Sequence, residues 1–427
     1  MSRPRVFTGV VACVLLSWTR IVHADAVTDW NAIAIQTIAT GLPAHPGATA
    51  TLDGAMVQAA VYDAVVAIEG GFKPYAVRIP GAHGSTAAAV AKATRDVLVN
   101  RFPSATTVAS VDAAYHSYLS AHGIAEDDPG VAVGQQAAAG IIARRANDGS
   151  FPANPPPFTG GTQPGEWRPT PPAFAPMLAP WLGSVTPFTL KSSSQYRPQP
   201  PPPLTSKQYA VDYNEVKSMG ALSGSARTAD QTDLALFWNA NYQAVWNRVL
   251  RDLAAAHVDD IADSARLFAL ANAALADSAI TAWDSKLHFN FWRPLTAIQE
   301  GENDGNPRTD GDTSWQPFIV TPPYPDYTSG ANNGTGAVTR ALALFFGTDE
   351  MTFTVHTTNP AALQQARTFD RFSDAAAEVV VARIYEGIHF RFADVEARKQ
   401  GRHVAQWAFS HFFKPIDDDD EDDDGGH

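Results

Sequence analysis

Three short segments of this 427-residue chain carry the side chains that grip oxyanions. They read Lys286-Leu-His-Phe-Asn-Phe-Trp-Arg293-Pro294, Tyr327-Thr-Ser329-Gly330-Ala331 and Arg383-Ile-Tyr-Glu-Gly-Ile-His389. One lysine and two arginines offer charge-assisted donors. A serine hydroxyl and a glycine amide add neutral ones, and an imidazole can bond a central atom through a ring nitrogen. That is the donor set a tetrahedral anion needs.

Each segment alone has a plainer explanation. Lys286 and Arg293, seven apart, share a face if one helix carries both, with Asn290 between them. A shared anion would relieve their repulsion, yet such a pair is also an ordinary solvated face or ion-pair partner. Pro294 is expected to disturb that helix and turn Arg293 inward. Ser329 stands where a helix N-cap belongs. The same place aims free amides and the positive helix end at an anion, with Gly330 permitting close approach. Arg383 and His389, six apart, diverge by about 120° on an ideal helix, so a common site requires a bend, for which Glu386-Gly387 is the natural place. A lone histidine is more often a core or surface residue than a ligand. Taken together and in order, the three segments point to one oxyanion site.

The elements that must position them are helical. Amphipathic spacing near 3.6 predicts helices over 28–40, 51–69, 85–101, 107–121 and 130–147, then 207–220, 228–256, 261–298, 330–346, 360–388 and 391–412. Residues 149–205 hold 16 of the 31 prolines, with Trp167 and Trp181, and read as an extended arm packed over the surface. A loop over 300–328, rich in Gly, Asn, Asp and Pro, is long enough to be functional. No alternating strand pattern or repeat is visible. The expected fold is all-α: two packed helical bundles, an N-terminal region over 27–205 including the arm and a second over 206–414 bearing the site.

The termini have their own signatures. Arg3 and Arg5 precede an apolar run from Val6 to Trp18 and small residues at Ala24 and Ala26, the layout of a signal peptide over 1–26 and hence of a secreted or periplasmic protein. The only cysteine, Cys13, lies inside it, so the mature chain would use neither disulfides nor thiol chemistry. No later stretch reads as membrane-spanning. Of the net charge of −13, the run Asp417–Asp424 supplies −8, leaving −5 for the rest. The tail over 415–427 reads as solvated and disordered. A mildly acidic body argues against a nucleic-acid partner.

The motif set resembles the vanadium-dependent haloperoxidases, of the chloroperoxidase-like bacterial branch within the type 2 phosphatidic acid phosphatase superfamily. The likeness extends through 283–298, 383–393, the Asp25-Ala-Val-Thr-Asp-Trp start and Gln195-Tyr-Arg-Pro in the arm. It implies that His389 bonds vanadium, that Lys286, Arg293, Arg383, Ser329 and the Gly330 amide hold the oxygens of orthovanadate, and that phosphate competes there. It also implies hydrogen peroxide and a halide as substrates, with Lys286 polarising the peroxide and Trp283 and Tyr324 lining the halide pocket. Ordinary core packing would equally explain Trp283.

The likeness fails at one position. Relatives follow Ser-Gly with an acid/base histidine, and this chain has Ala331. Losing a general acid/base typically costs about 10²–10⁴-fold in rate, so the expectation is impaired or altered peroxidase chemistry favouring bromide or iodide. Thr328 replaces a usual proline, Ala382 a usual serine, and Asn332-Asn333-Gly334 is polar for a helix start. His288 and His356 are candidate substitutes, and Asp394 lies one residue from where an acidic partner often follows the ligand histidine. Two rival functions remain: a phosphatase-like hydrolase with His389 as nucleophile, and a non-catalytic anion-binding protein.

Overall fold

The computed structural model describes residues 25–416 apart from Pro46. Cys13, nearly all of the signal-like segment and the acidic run 417–424 lie outside the described residues.

Five helices form the N-terminal bundle: α1 Ala26–Thr40, α2 Ala50–Glu69, α3 Thr86–Arg101, α4 Ala105–Ala121 and α5 Pro129–Arg145. Four of them start at a side-chain cap, from Asp25, Ser85, Ser104 and Asp128, which satisfies amides that no helix turn can reach. Alpha-helix α2 and the turn before it, over Gly47–Glu69, are long and apolar enough to cross a membrane, contrary to the sequence expectation; 89% of that window is buried inside the protein. Its apolarity serves the core.

Next come α6 Lys207–Met219, α7 Ala229–Trp238, α8 Tyr242–His257, α9 Ile261–Phe289 and α10 Pro294–Gln299. The chain closes with α11 Gly330–Phe345, α12 Phe372–Tyr385 and α13 Arg391–His411. Helix α9 is the axis of the molecule, packing on α2 of the first bundle and on α11 and α13 of the second. Helices α11 and α13 approach so closely that a Cβ on Gly401 would fall 2.0 Å from the Asn333 carbonyl oxygen. Glycine is what allows that contact.

Three sequence expectations are corrected. The run 228–256 divides because Asn239 closes α7 and Asn241 caps α8 by accepting from the Ala244 amide. The run 261–298 divides at Asn290, whose φ of 46° is left-handed, after which Pro294 opens α10 at its first position. The expected helix over 360–388 begins only at Phe372, because β2 Ala366–Arg371 pairs antiparallel with β1 Glu350–His356. Phe353 and Val355 are buried there while Thr354 and Thr368 share a 3.0 Å hydroxyl contact on the open face. These β-branched and aromatic residues favour a pleated, half-buried ribbon, too short to stand out from a helical chain.

The proline-rich arm has only a 3-10 turn, Pro180–Ser184, and is clipped to α9 at three places. Asp277 accepts from the amides of Phe188 (2.6 Å), Thr189 (2.8 Å) and Leu190 (3.3 Å) and from the Thr189 hydroxyl (2.6 Å). One turn-pair further on, Asp284 takes a two-pronged bond from Arg197 at 2.7 and 2.8 Å. At the helix end, the Trp167 amide donates to the Asn290 carbonyl at 2.7 Å. Replacing Asp277 by alanine orphans buried donors, each costing about 1–3 kcal/mol. Asp277→Ala should therefore lose about 3 kcal/mol or more in denaturant unfolding and open the 149–205 arm to limited proteolysis.

Candidate active site

Lys286 and Arg293 do meet, but not as two turns of one helix. Lys286 sits in the last turn of α9, the chain reverses at Asn290, and Arg293 is the extended residue that precedes α10. Their side chains converge on the loop 324–326. Lys286 Nζ donates to the carbonyls of Pro325 (2.6 Å) and Asp326 (3.1 Å). Arg293 Nε donates to the Tyr324 carbonyl at 2.7 Å and Nη1 to the Ile388 carbonyl at 2.6 Å. The Tyr324 ring lies under both cations, 4.9 Å from Lys286 Nζ and 4.8 Å from the Arg293 guanidinium carbon.

The third segment bends where expected. Helix α12 ends at Tyr385 and Gly387 takes a φ of 79°, which turns His389 back toward Arg293. His389 Nδ1 is 2.7 Å from Asp326 Oδ1, and its Nε2 is 3.1 Å from Arg293 Nη1. Asp326 thus fixes the tautomer with hydrogen on Nδ1, leaving Nε2 as the nitrogen with a lone pair. Burial and the three neighbouring cations Arg293, Lys286 and Arg383 hold the imidazole well below its usual range, so it is neutral. Arg383 pairs through Nη1 with Glu386 at 2.6 Å.

Ser329 occupies the N-cap position of α11 but does not cap it. Its hydroxyl instead accepts from Asn332 Nδ2 at 3.5 Å, and the same amide donates to the buried carboxyl of Asp394 at 2.8 Å. Gly330 and Ala331 open α11, so their amides precede its hydrogen-bond ladder and are free to face an anion. The polar start of this helix has a structural reason. Asn333 and Thr328 both donate at 2.8 Å to the Gln400 side chain of α13, which donates on to Ser285 and the Thr281 carbonyl of α9.

Trp283, Tyr324, Gly330, Ala331, Arg383 and His389 line one cavity of about 730 Å³. Trp283 both packs and lines it: it is nearly buried, its ring centroid is 4.9 Å from that of Tyr324, and its indole donates to Leu178 in the arm. His288 is exposed at the end of α9 and His356 lies in β1; neither lines the cavity. Neither stands in for a histidine at 331.

Two site residues escaped the sequence. Asp326, not Asp394, is the acidic partner of His389, and it comes from the 300–328 loop, where four aspartates offer no spacing cue. Glu386 neutralises Arg383 and had figured only as part of the bend. Among the described residues no cluster of His, Cys, Asp and Glu forms a ready cation site.

The donor set fits an oxyanion. Arg293 Nη2 and Arg383 Nε are buried without a partner, and buried N–H groups are seldom left so. Burial and Arg293 hold the Lys286 ammonium well below its usual range, while burial raises Asp326 to about 7 and Asp394 well above its usual range. An arriving anion reverses the first shift and favours protonated carboxyls.

Comparison with known proteins points the same way. Residues 266–418 match the model of the vanadium chloroperoxidase second helical-bundle domain. The vanadium chloroperoxidase of Curvularia inaequalis is 29% identical over 207 residues, which cover 40% of this chain and a third (33%) of that protein's length. A crystal structure described as the first bacterial vanadium-dependent iodoperoxidase superposes with a TM-score of 0.78 at 25% identity, covering 92% of this chain and 96% of that one.

The chain is a relative of the vanadium-dependent haloperoxidases.

The holo form of a bacterial vanadium-dependent chloroperoxidase shares the haloperoxidase fold, with a TM-score of 0.69 at 17% identity. In this relative the charge balance of the site sets a measurable linkage. As pH rises through about 7, Asp326 ionises and Lys286 is further from holding its proton, so both changes weaken anion binding. Sulfate, whose charge is constant over that range, should bind with proton uptake in calorimetry run in buffers of different ionisation enthalpy. Asp326→Asn should reduce the uptake, and binding without uptake would contradict this assignment.

Proposed function

We propose that this protein is an exported vanadium-dependent haloperoxidase that oxidises bromide or iodide with hydrogen peroxide, at a rate limited by Ala331. The observation that carries the reading is the convergence of Lys286, Arg293 and His389 on the loop 324–326, with unsatisfied N–H groups on Arg293 and Arg383, beside a cavity lined by Arg383, His389, Gly330 and Ala331. Arg293, Arg383, Ser329, the Gly330 amide and Lys286 would hold the oxygens of vanadate, and His389 Nε2 would bond the metal. Bound vanadate supplies Lewis-acid activation of peroxide without a change of oxidation state.

The remaining chemistry belongs to the chain. Asp326 keeps His389 in the tautomer that presents Nε2. Lys286, held by two carbonyls, keeps an N–H for a peroxide oxygen and stabilises the charge that develops there. Trp283 and Tyr324 form an apolar, polarizable wall beside Ala331 against which a weakly hydrated halide such as bromide or iodide can shed water. What the wall lacks is a proton acceptor for incoming peroxide. The superposed iodoperoxidase acts, by its description, on the more easily oxidised halide, which agrees with a less activated peroxide here.

The test is peroxide-driven bromide and iodide oxidation by purified mature protein, with and without orthovanadate. Vanadate-dependent turnover lost in His389→Ala is expected. Ala331→His should raise bromide oxidation by about 10²-fold or more. Turnover of activated aryl phosphates without halide oxidation would replace this reading by the hydrolase.

A further inference from the structure

The same cavity has a second polar end. Besides the residues around His389 it is lined by His45, with Ile35, Ile38, Ala39 and Ala44 forming an apolar stretch from the N-terminal bundle. His45 is 8% exposed, and its Nδ1 lies 2.8 Å from Asp53 Oδ2. Asp53 is fully buried and also accepts from Arg101 Nε at 2.6 Å. The imidazole is wedged between aromatic rings, its centroid 3.9 Å from Phe151 and 4.8 Å from Phe102. Its Nε2 has no partner among the described residues.

This arrangement has the parts of a held base. The carboxylate of Asp53 takes the Nδ1 hydrogen, which leaves the Nε2 lone pair to the cavity. The rings fix the plane, and the Arg101 contact at 2.6 Å holds Asp53 in place. A structural histidine would be expected to satisfy both ring nitrogens when nearly buried. Size adds a second argument. About 730 Å³ lies within the range of small-molecule pockets and far exceeds what peroxide and a halide occupy.

We propose that the cavity binds an apolar organic molecule bearing a weakly acidic aryl or enol hydroxyl, with His45 Nε2 accepting that proton while the ring faces the oxyanion site. The inference rests on the haloperoxidase reading for its chemical step, not for binding. In that step His45 Nε2 takes the hydroxyl proton, and a carbon of the resulting aryloxide attacks the halogen of hypohalous acid. A carbon–halogen bond forms, the halogen–oxygen bond breaks, and hydroxide leaves to take the proton from His45 as water. Loss of the ring hydrogen to the oxygen restores the phenol. The carbon is oxidised and the halogen reduced, so no further reagent is needed.

The experiment uses mature protein with phosphate saturating the cationic site, no peroxide, and 4-nitrophenol as probe at a pH where the free dye is mostly protonated. Wild type should show the visible phenolate band on binding. His45→Ala should lose the band and bind 4-nitrophenol about tenfold more weakly, as expected for one hydrogen bond with charge character. His45→Gln keeps a polar group of similar reach that cannot take a proton, and should lose the band as well. Nitrobenzene, which lacks the hydroxyl, should bind all three proteins alike. A band that persists in either variant, no band in wild type, or a nitrobenzene loss equal to the nitrophenol loss would overturn the proposal. Failure of the haloperoxidase reading shows separately, as absence of vanadate-dependent halide oxidation by wild type without any phenol.

Discussion

Removing water from several like charges at once is the constraint around which this protein is built. Lys286, Arg293 and Arg383 are buried together, and bringing such groups out of water is costly unless each finds compensation. The compensation is mostly backbone. Carbonyls of Tyr324, Pro325, Asp326 and Ile388 point at Lys286 and Arg293, so a segment without regular structure is held in one conformation by the cations it solvates. The dependence runs both ways: without the loop the cations would be bare, and without the cations the loop would have three inward carbonyls unpaired.

Around that centre the scaffold uses buried polar links where apolar packing alone would leave the helices free to slide. Asn31, Asn247 and Asn272 join α1, α8 and α9 through side-chain amides at 2.8–3.1 Å. Gln400 joins α13 to α9, to α11 and to the loop at Thr328. Such networks are worth having only when fully engaged, and they single out one register among many that leucines and alanines would tolerate. The arm acts from outside, gripping α9 beside Trp283 and bracing the reversal at Asn290. The strict placement of the site is therefore shared between a rigid axis and a strap.

Much of this was legible in the sequence. Helical periodicity located nearly every helix, since alanine-rich amphipathic faces repeat over many turns. The order of the three motifs named the donors, and Glu386-Gly387 marked the bend. Other features were hidden for physical reasons. Asn290 looks like an ordinary helical residue between Lys286 and Arg293, and only its left-handed backbone reveals two helices rather than one. Asp326 is one acid among several in an irregular loop, chosen by a tertiary contact that no local spacing encodes. His45 lies before α2 in the other bundle, and its place on the cavity wall depends on how the bundles pack. Ser329 was read as either cap or ligand, and its side chain makes no cap bond in the folded chain because it turns to the Asn332 amide, which Asp394 anchors.

Ala331 bears on how such a protein can change over evolutionary time. Its methyl group forms part of the cavity wall and takes no part in the hydrogen bonds that hold α11, which fall to Asn332, Asn333 and Ser329. The position to which the proposed function assigns proton transfer is thereby uncoupled from the positions that decide folding. A lineage can acquire or discard a proton-transferring side chain here by a single residue change, leaving the architecture untouched, so reactivity can drift while the scaffold stays constant.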